Sequence, residues 1–102
     1  MRIIVFFDLP VVNKKERKVY AQFRKFLLKD GYDMVQYSVY SRLCNGNDMM
    51  NKHLKRLSQS LPSKGSIRCL TVTEKQYEEM KFLVGKPSVK ERKVKSEQLS
   101  LF

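Results

Sequence analysis

Ten carboxylates, one histidine and two cysteines are the side chains of this chain that could do acid–base, nucleophilic or metal chemistry. Cleaving a phosphodiester with Mg²⁺ asks for two or more carboxylates around the ion. No two aspartates stand close together, and Glu78 and Glu79, adjacent on an expected helical turn, point in different directions. Asp8 is the best-placed acid, because it closes the apolar run Ile3 to Phe7. One such carboxylate binds Mg²⁺ weakly. Two copies of the chain meeting at a symmetry axis could hold one ion between paired Asp8 side chains. The plainer role for Asp8 is to cap the following turn by accepting backbone N–H bonds. His53 falls inside an expected helix, one residue before the core position Leu54, where a hydrogen-bonded or solvated ring is the ordinary outcome. Cys44 and Cys69 with a single histidine do not make a zinc site of the usual spacing. They are expected as buried or idle thiols in a reducing compartment, with a mutual disulfide as the alternative. Nothing supports a Cys–His nucleophile pair. The four glycines are scattered, so no loop is built to cradle a nucleotide phosphate.

Charge says more than the acids do. Lys and Arg number 21 against 10 Asp and Glu, a formal net charge of +11. Solubility asks for a magnitude of only about 2–8. The surplus points to a polyanion, nucleic acid first and an acidic membrane surface second. Six cations, Lys14, Lys15, Arg17, Lys18, Arg24 and Lys25, fall in one segment with Glu16 as the sole opposing acid. On a helix, Lys14, Lys18 and Lys25 make a stripe with Arg17 and Arg24 beside it. Such a stripe positions a phosphate backbone without reading bases; the plain alternative is a solvated helix face. Lys90, Arg92, Lys93 and Lys95 could grip DNA or dock an acidic partner. Tyr37 and Tyr40 could stack bases, although tyrosine in a strand more often packs. The Arg/Lys-Gly-aromatic signature of single-stranded RNA modules is absent.

The elements that must position these groups can be read from periodicity. With 102 residues, 42% hydrophobic and 11% aromatic, the chain suits one folded domain. No apolar run approaches the roughly 20 residues that span a bilayer. The opening run is too short for a signal peptide, so a cytoplasmic protein without membrane insertion is expected. Ile3 to Phe7 reads as a buried central strand stopped at Pro10. Asn13 and Glu16 have the spacing of a capping box. Val19, Tyr20, Phe23, Phe26 and Leu27 then mark one face of a helix from Lys14 to Lys29, and Gly31 suits the position just past its end. Tyr32 to Cys44 is strand-like; it either bends at a bulge or reverses near Gln36-Tyr37-Ser38. Met50, Leu54, Leu57 and Leu61 mark a second helix closed by Pro62 to Gly65. A strand over Ser66–Thr73, with Ile67, Leu70 and Val72 apolar, leads to a second capping box at Thr73 and Gln76. Lys81 to Val84 is expected as a further strand. Residues 1–85 thus read as the folded domain, 86–97 as a charged linker, and 98–102 as a C-terminal strand seeking a sheet edge. The order β-α-β(β)-α-β gives an α+β, ferredoxin-like fold.

Phe6-Phe7-Asp8-Leu9-Pro10, Gly31 after the first helix and Gln36-Tyr37-Ser38-Val39-Tyr40 resemble the signature of CRISPR-associated protein two. Gly65-Ser66-Ile67-Arg68 and Thr73-Glu74-Lys75-Gln76 resemble its branch from type II systems. The resemblance covers roughly residues 1–85 and implies a βαββαβ ferredoxin-like domain in a two-fold homodimer. An additional C-terminal strand, Gln98, Leu99, Leu101 and Phe102 among its residues, would extend the partner's sheet. It further implies a spacer-acquisition subunit that links two dimers of the CRISPR-associated protein one integrase and bridges a double-stranded DNA protospacer. The family also carries the label of a Mg²⁺-dependent endonuclease on RNA or DNA. That label rests on the aspartate that is Asp8 here, as catalytic and metal-binding residue. Ser38 is expected as a strand junction, not a nucleophile.

Overall fold

The computed structural model describes residues 1–85. Its first strand, β1 (Arg2–Asp8), puts Ile3, Val5 and Phe7 on one face, all buried; of the residues on the other face Ile4 is buried too, while Phe6 and Asp8 are exposed. Helix α1 (Lys14–Lys29) has the limits that the sequence pattern sets. Asn13 Oδ1 accepts from Glu16 N at 2.8 Å, and Glu16 Oε1 accepts from Asn13 N at 3.1 Å, so both ends of the capping box are closed. At the other end Gly31 adopts φ 91°, and the N–H groups of Gly31 and Tyr32 return to the Leu28 and Leu27 carbonyls.

Of the two readings of the Tyr32 to Cys44 segment, reversal is the one observed. Strands β2 (Asp33–Gln36) and β3 (Val39–Leu43) pair antiparallel around a turn at Tyr37-Ser38. Helix α2 (Asn47–Ser58), strand β4 (Ser66–Val72) and the short helix α3 (Glu74–Glu78) complete the described elements. The sheet order is β2-β3-β1-β4, antiparallel throughout. That is the ferredoxin-like arrangement, with α1 and α2 on one face. Ile3, Val5 and Phe7 meet Phe23 and Leu27 of α1 and Leu57 of α2 in one core. Phe7 and Phe23 pack edge to face at 5.2 Å.

The other face carries Ile4 and Phe6 of β1, opposite Leu70 and Arg68 of β4 and Ser41 and Val39 of β3. Helix α3 folds back toward its Arg2 end. There the Arg2 guanidinium lies 4.3 Å from the centre of the buried Tyr77 ring, and its Nε donates to Glu74 Oε2 at 2.7 Å.

Leu70, an odd number of residues from Ile67, faces away from the helices and is 54% exposed. Two expectations need correction. Helix α2 stops at Ser58, short of Leu61. The Ser58 and Ser60 hydroxyls bond back to the Lys55 and Arg56 carbonyls, the local competition that ends helices. Lys81 to Val84 is not a strand. The chain has already left the sheet through α3 by that point, and Leu83 and Val84 are more than nine-tenths exposed. The expected linker and C-terminal strand, with Gln98, Leu99, Leu101 and Phe102, lie outside the described residues.

Candidate nucleic-acid interface

The cationic face of α1 owes its purity to the cap. Glu16, the helix's one acid, turns its carboxylate back to accept from Val12 N and Asn13 N, both at 3.1 Å. It therefore does not neutralise the lysines. Lys14, Lys15, Arg17, Lys18, Arg24 and Lys25 are all exposed, and among the described residues none of them forms an ion pair. Lys14, Lys18 and Lys25 fall within about 40° of one another around the helix axis. Arg17 is partly committed elsewhere: its Nη1 donates to the Val12 carbonyl at 2.8 Å and the Val11 carbonyl at 3.3 Å, which fixes the loop leading into the helix. So one stripe of three lysines is presented together, with Arg17 anchoring its entry.

Asp8 stands at the end of β1, opposite Ser66 of β4, on the sheet face away from the helices. It is exposed, and its carboxylate has no hydrogen-bonding partner among the described residues, so the turn-capping role is not the one it plays. It lines a cleft of about 380 Å³ with Phe6, Tyr37, Ser38, Ser66 and Arg68. Gly65 lets the backbone close at this point. A Cβ there would sit 2.7 Å from the Asp8 carbonyl and 2.6 Å from the Leu9 side chain, and its φ is 97°. Ser38 holds the opposite wall. It adopts φ 63°, its carbonyl accepts from Phe7 N, and its hydroxyl is 3.0 Å from the Tyr20 hydroxyl. That makes it a strand junction.

No group of three or more His, Cys, Asp and Glu among the described residues could hold a metal ion. One chain offers the Asp8 carboxylate and the Ser66 hydroxyl at the cleft. Mg²⁺ takes one or two carboxylates together with waters and substrate oxygens, and one chain supplies a single carboxylate here.

Tyr40 is buried in the core, whereas Tyr37 is 73% exposed. Cys44 is buried and Cys69 exposed, both free. Burial pushes the Cys44 thiol up, against a smaller opposing pull from Arg42, so it packs and does not attack. The sequence did not foretell the buried cluster behind the interface. Asp30, 5% exposed, accepts from Arg56 Nη2 at 2.9 Å and lies 2.8 Å from His53 Nδ1. The signal available was an aspartate directly before the glycine that ends α1, set against His53 and Arg56 three residues apart on α2.

Comparison with known proteins decides the family. Residues 1–80 match the profile described as CRISPR associated protein Cas2. The chain belongs to the CRISPR-associated protein Cas2 family. It is 59% identical over 102 residues to the CRISPR-associated endoribonuclease Cas2 of Acidovorax ebreus, covering all of both chains. It is 49% identical over 86 residues to the protein of that name from Ligilactobacillus salivarius, covering 84% of this chain and 85% of the relative. A crystal structure of Streptococcus pyogenes Cas2 at pH 6.5 shares the fold, with a TM-score of 0.63 at 21% identity, over 82% of this chain and 100% of that one. In this Cas2-family chain no helix among the described residues is long and apolar enough to cross a membrane.

Proposed function

We propose that this chain works as a two-fold homodimer, a DNA-bridging subunit of the CRISPR spacer-acquisition machinery in the cytoplasm. The lysine stripe of α1, its one acid withdrawn into the cap, carries this reading. Phosphate contacts of this kind bind by charge and are indifferent to base sequence. The sheet face away from the helices favours pairing. Phe6, Leu43 and Leu70 are 40%, 42% and 54% exposed there, and a groove of about 360 Å³ runs among Ile4, Phe6, Val39, Leu70 and Val72. Contiguous apolar surface on a small protein usually marks an interface. Pairing through this face doubles the lysine stripe and brings two Asp8 side chains toward the axis. Residues 98–102 then add as a strand to the partner's sheet, residues 86–97 link them to the domain, and two integrase dimers of CRISPR-associated protein one dock on the assembly.

A second reading is favoured by the exposed Asp8 carboxylate in its cleft and by the endoribonuclease name of the relatives. In it, Asp8 from each of two copies holds Mg²⁺. The ion would supply charge that stabilises a phosphodiester undergoing hydrolysis, while Arg68 orients the strand. Asp8→Ala separates the two readings. The variant is expected to bind a short duplex at least as tightly as the parent and to support integration in a reconstituted assay. Mg²⁺-dependent cleavage of single-stranded RNA, measured in parallel, should fall to background if Asp8 performs it. Cleavage that persists belongs to a contaminant and removes the second reading; loss of duplex binding removes the first.

A further inference from the structure

Lys15 is a cation of α1 that the stripe leaves over. It lies about 80° around the helix from the middle of the stripe and about 40° from Val19. Val19 is a wall shared by two adjoining hollows, which run between α1 and the loop 59–65 on the helix side of the sheet. The first, about 150 Å³, takes Leu9, Pro10, Lys15 and Lys64 into its lining. The second, about 280 Å³, takes Phe23, Leu61 and Pro62. Leu61 is 50% exposed there. The loop is held at both ends. Ser60 N donates to the Leu57 carbonyl at 3.0 Å and the Ser60 hydroxyl to the Arg56 carbonyl at 3.1 Å, while Gly65 packs directly on the backbone of Asp8 and Leu9. The groove is therefore already formed. Glu16 also lines it, but its carboxylate is engaged in the helix cap, and neither Lys15 nor Lys64 forms an ion pair among the described residues.

We propose that this groove docks an extended acidic segment of a partner protein, with two apolar side chains in the two hollows and carboxylates on Lys15 and Lys64. The inference goes beyond nucleic-acid binding and does not depend on it. A phosphate backbone would match the two lysines but has no aliphatic side chain to cover Val19, Leu61 and Pro62. A basic segment would be repelled by a chain of net charge +11. From Lys15 to Gln22 the helix rises about 10 Å, which an extended segment covers in three residues at about 3.3 Å each. Side chains two apart on such a segment point the same way, so one pair of anchors reaches both hollows. Binding then orders the segment but not the groove, which keeps its entropic cost low. The site lies away from the exposed sheet face, so both copies of a paired protein keep it open.

The probe is a labelled synthetic peptide of aspartates and glutamates carrying two leucines two residues apart. Its control has serines in place of the leucines and the same charge. In anisotropy titrations with the full-length protein, the leucine peptide should bind at least about tenfold more tightly than the serine peptide. Leu61→Ser should weaken leucine-peptide binding about tenfold and leave duplex affinity within about twofold. Lys64→Gln should weaken both peptides. No binding of the leucine peptide, equal affinity for the two peptides, or an unaffected Leu61→Ser variant overturns the docking groove and leaves the duplex reading intact. A Leu61→Ser variant that loses duplex and peptide binding alike would make the groove part of the nucleic-acid interface, and that also overturns it. A parent that discriminates between the peptides but binds no duplex overturns the duplex reading alone.

Discussion

Changing Lys14, Lys18 and Lys25 together to alanine is expected to weaken duplex binding roughly a hundredfold near physiological salt. Each lysine that sits on a phosphate releases a condensed counterion and contributes about 0.9 to the slope of log affinity against log salt. In the paired protein the substitution removes six such contacts from each duplex and should flatten that slope by about 5.4. The fold should survive, because all three side chains are exposed and alanine is the strongest helix former. An anisotropy titration of the parent and the variant at several salt concentrations reads both quantities. Unchanged affinity with an unchanged slope would show that the stripe is only solvated surface. Arg17→Ala should act differently. It releases the loop carbonyls of Val11 and Val12, so part of its effect falls on the order of the helix entry.

Asp30→Ala is the substitution expected to cost most in stability. The carboxylate is almost wholly buried at the end of α1, where it faces the His53 ring and the Arg56 guanidinium of α2. A carboxylate at a helix C-terminus opposes the helix dipole, so these partners must compensate for it. Removing it leaves the 4%-exposed His53 without its partner. Arg56 is half exposed and can return to water, which limits the loss to about 2–3 kcal/mol. For a domain of this size that lowers the melting temperature by roughly 10–20 °C. Asn at the same position keeps the shape and one acceptor and should cost less than half as much. Thermal unfolding followed by circular dichroism checks both variants. An Ala variant that melts within a degree or two of the parent would mean that the cluster contributes nothing net. The cluster matters to function because it ties the trailing end of the basic helix to its neighbour.

How legible this was in the sequence depended on the range of the signal. Helix α1 was readable to the residue, since Asn13, Glu16 and Gly31 state its ends locally and the 3.6-residue apolar period states its face. The strand reversal at Tyr37-Ser38 stayed open, because it uses neither glycine nor proline and relies on a serine at φ 63° held by Tyr20 from another element. The inward face of β4 stayed open for a different reason. The apolar residues of β4 serve two faces, Ile67 toward the helices and Leu70 away from them, so hydrophobicity alone does not say which side is core. Asp8 and the six cations were visible as residue types. That Glu16 would turn away from the lysines, and that Asp8 would share a cleft with Tyr37 and Arg68, are consequences of tertiary packing. Asp30 looked like one acid among ten. Its burial against His53 and Arg56 depends on two helices meeting, which no local pattern records.

Light scattering on the full-length protein, run alone and again with a saturating short duplex, bears hardest on the idea that paired copies make one cationic surface. The mass of a single chain is 12.1 kDa. The account predicts twice that mass without DNA, and one duplex per pair of chains in the complex. A monomer in both runs, or one duplex for every chain, would contradict it.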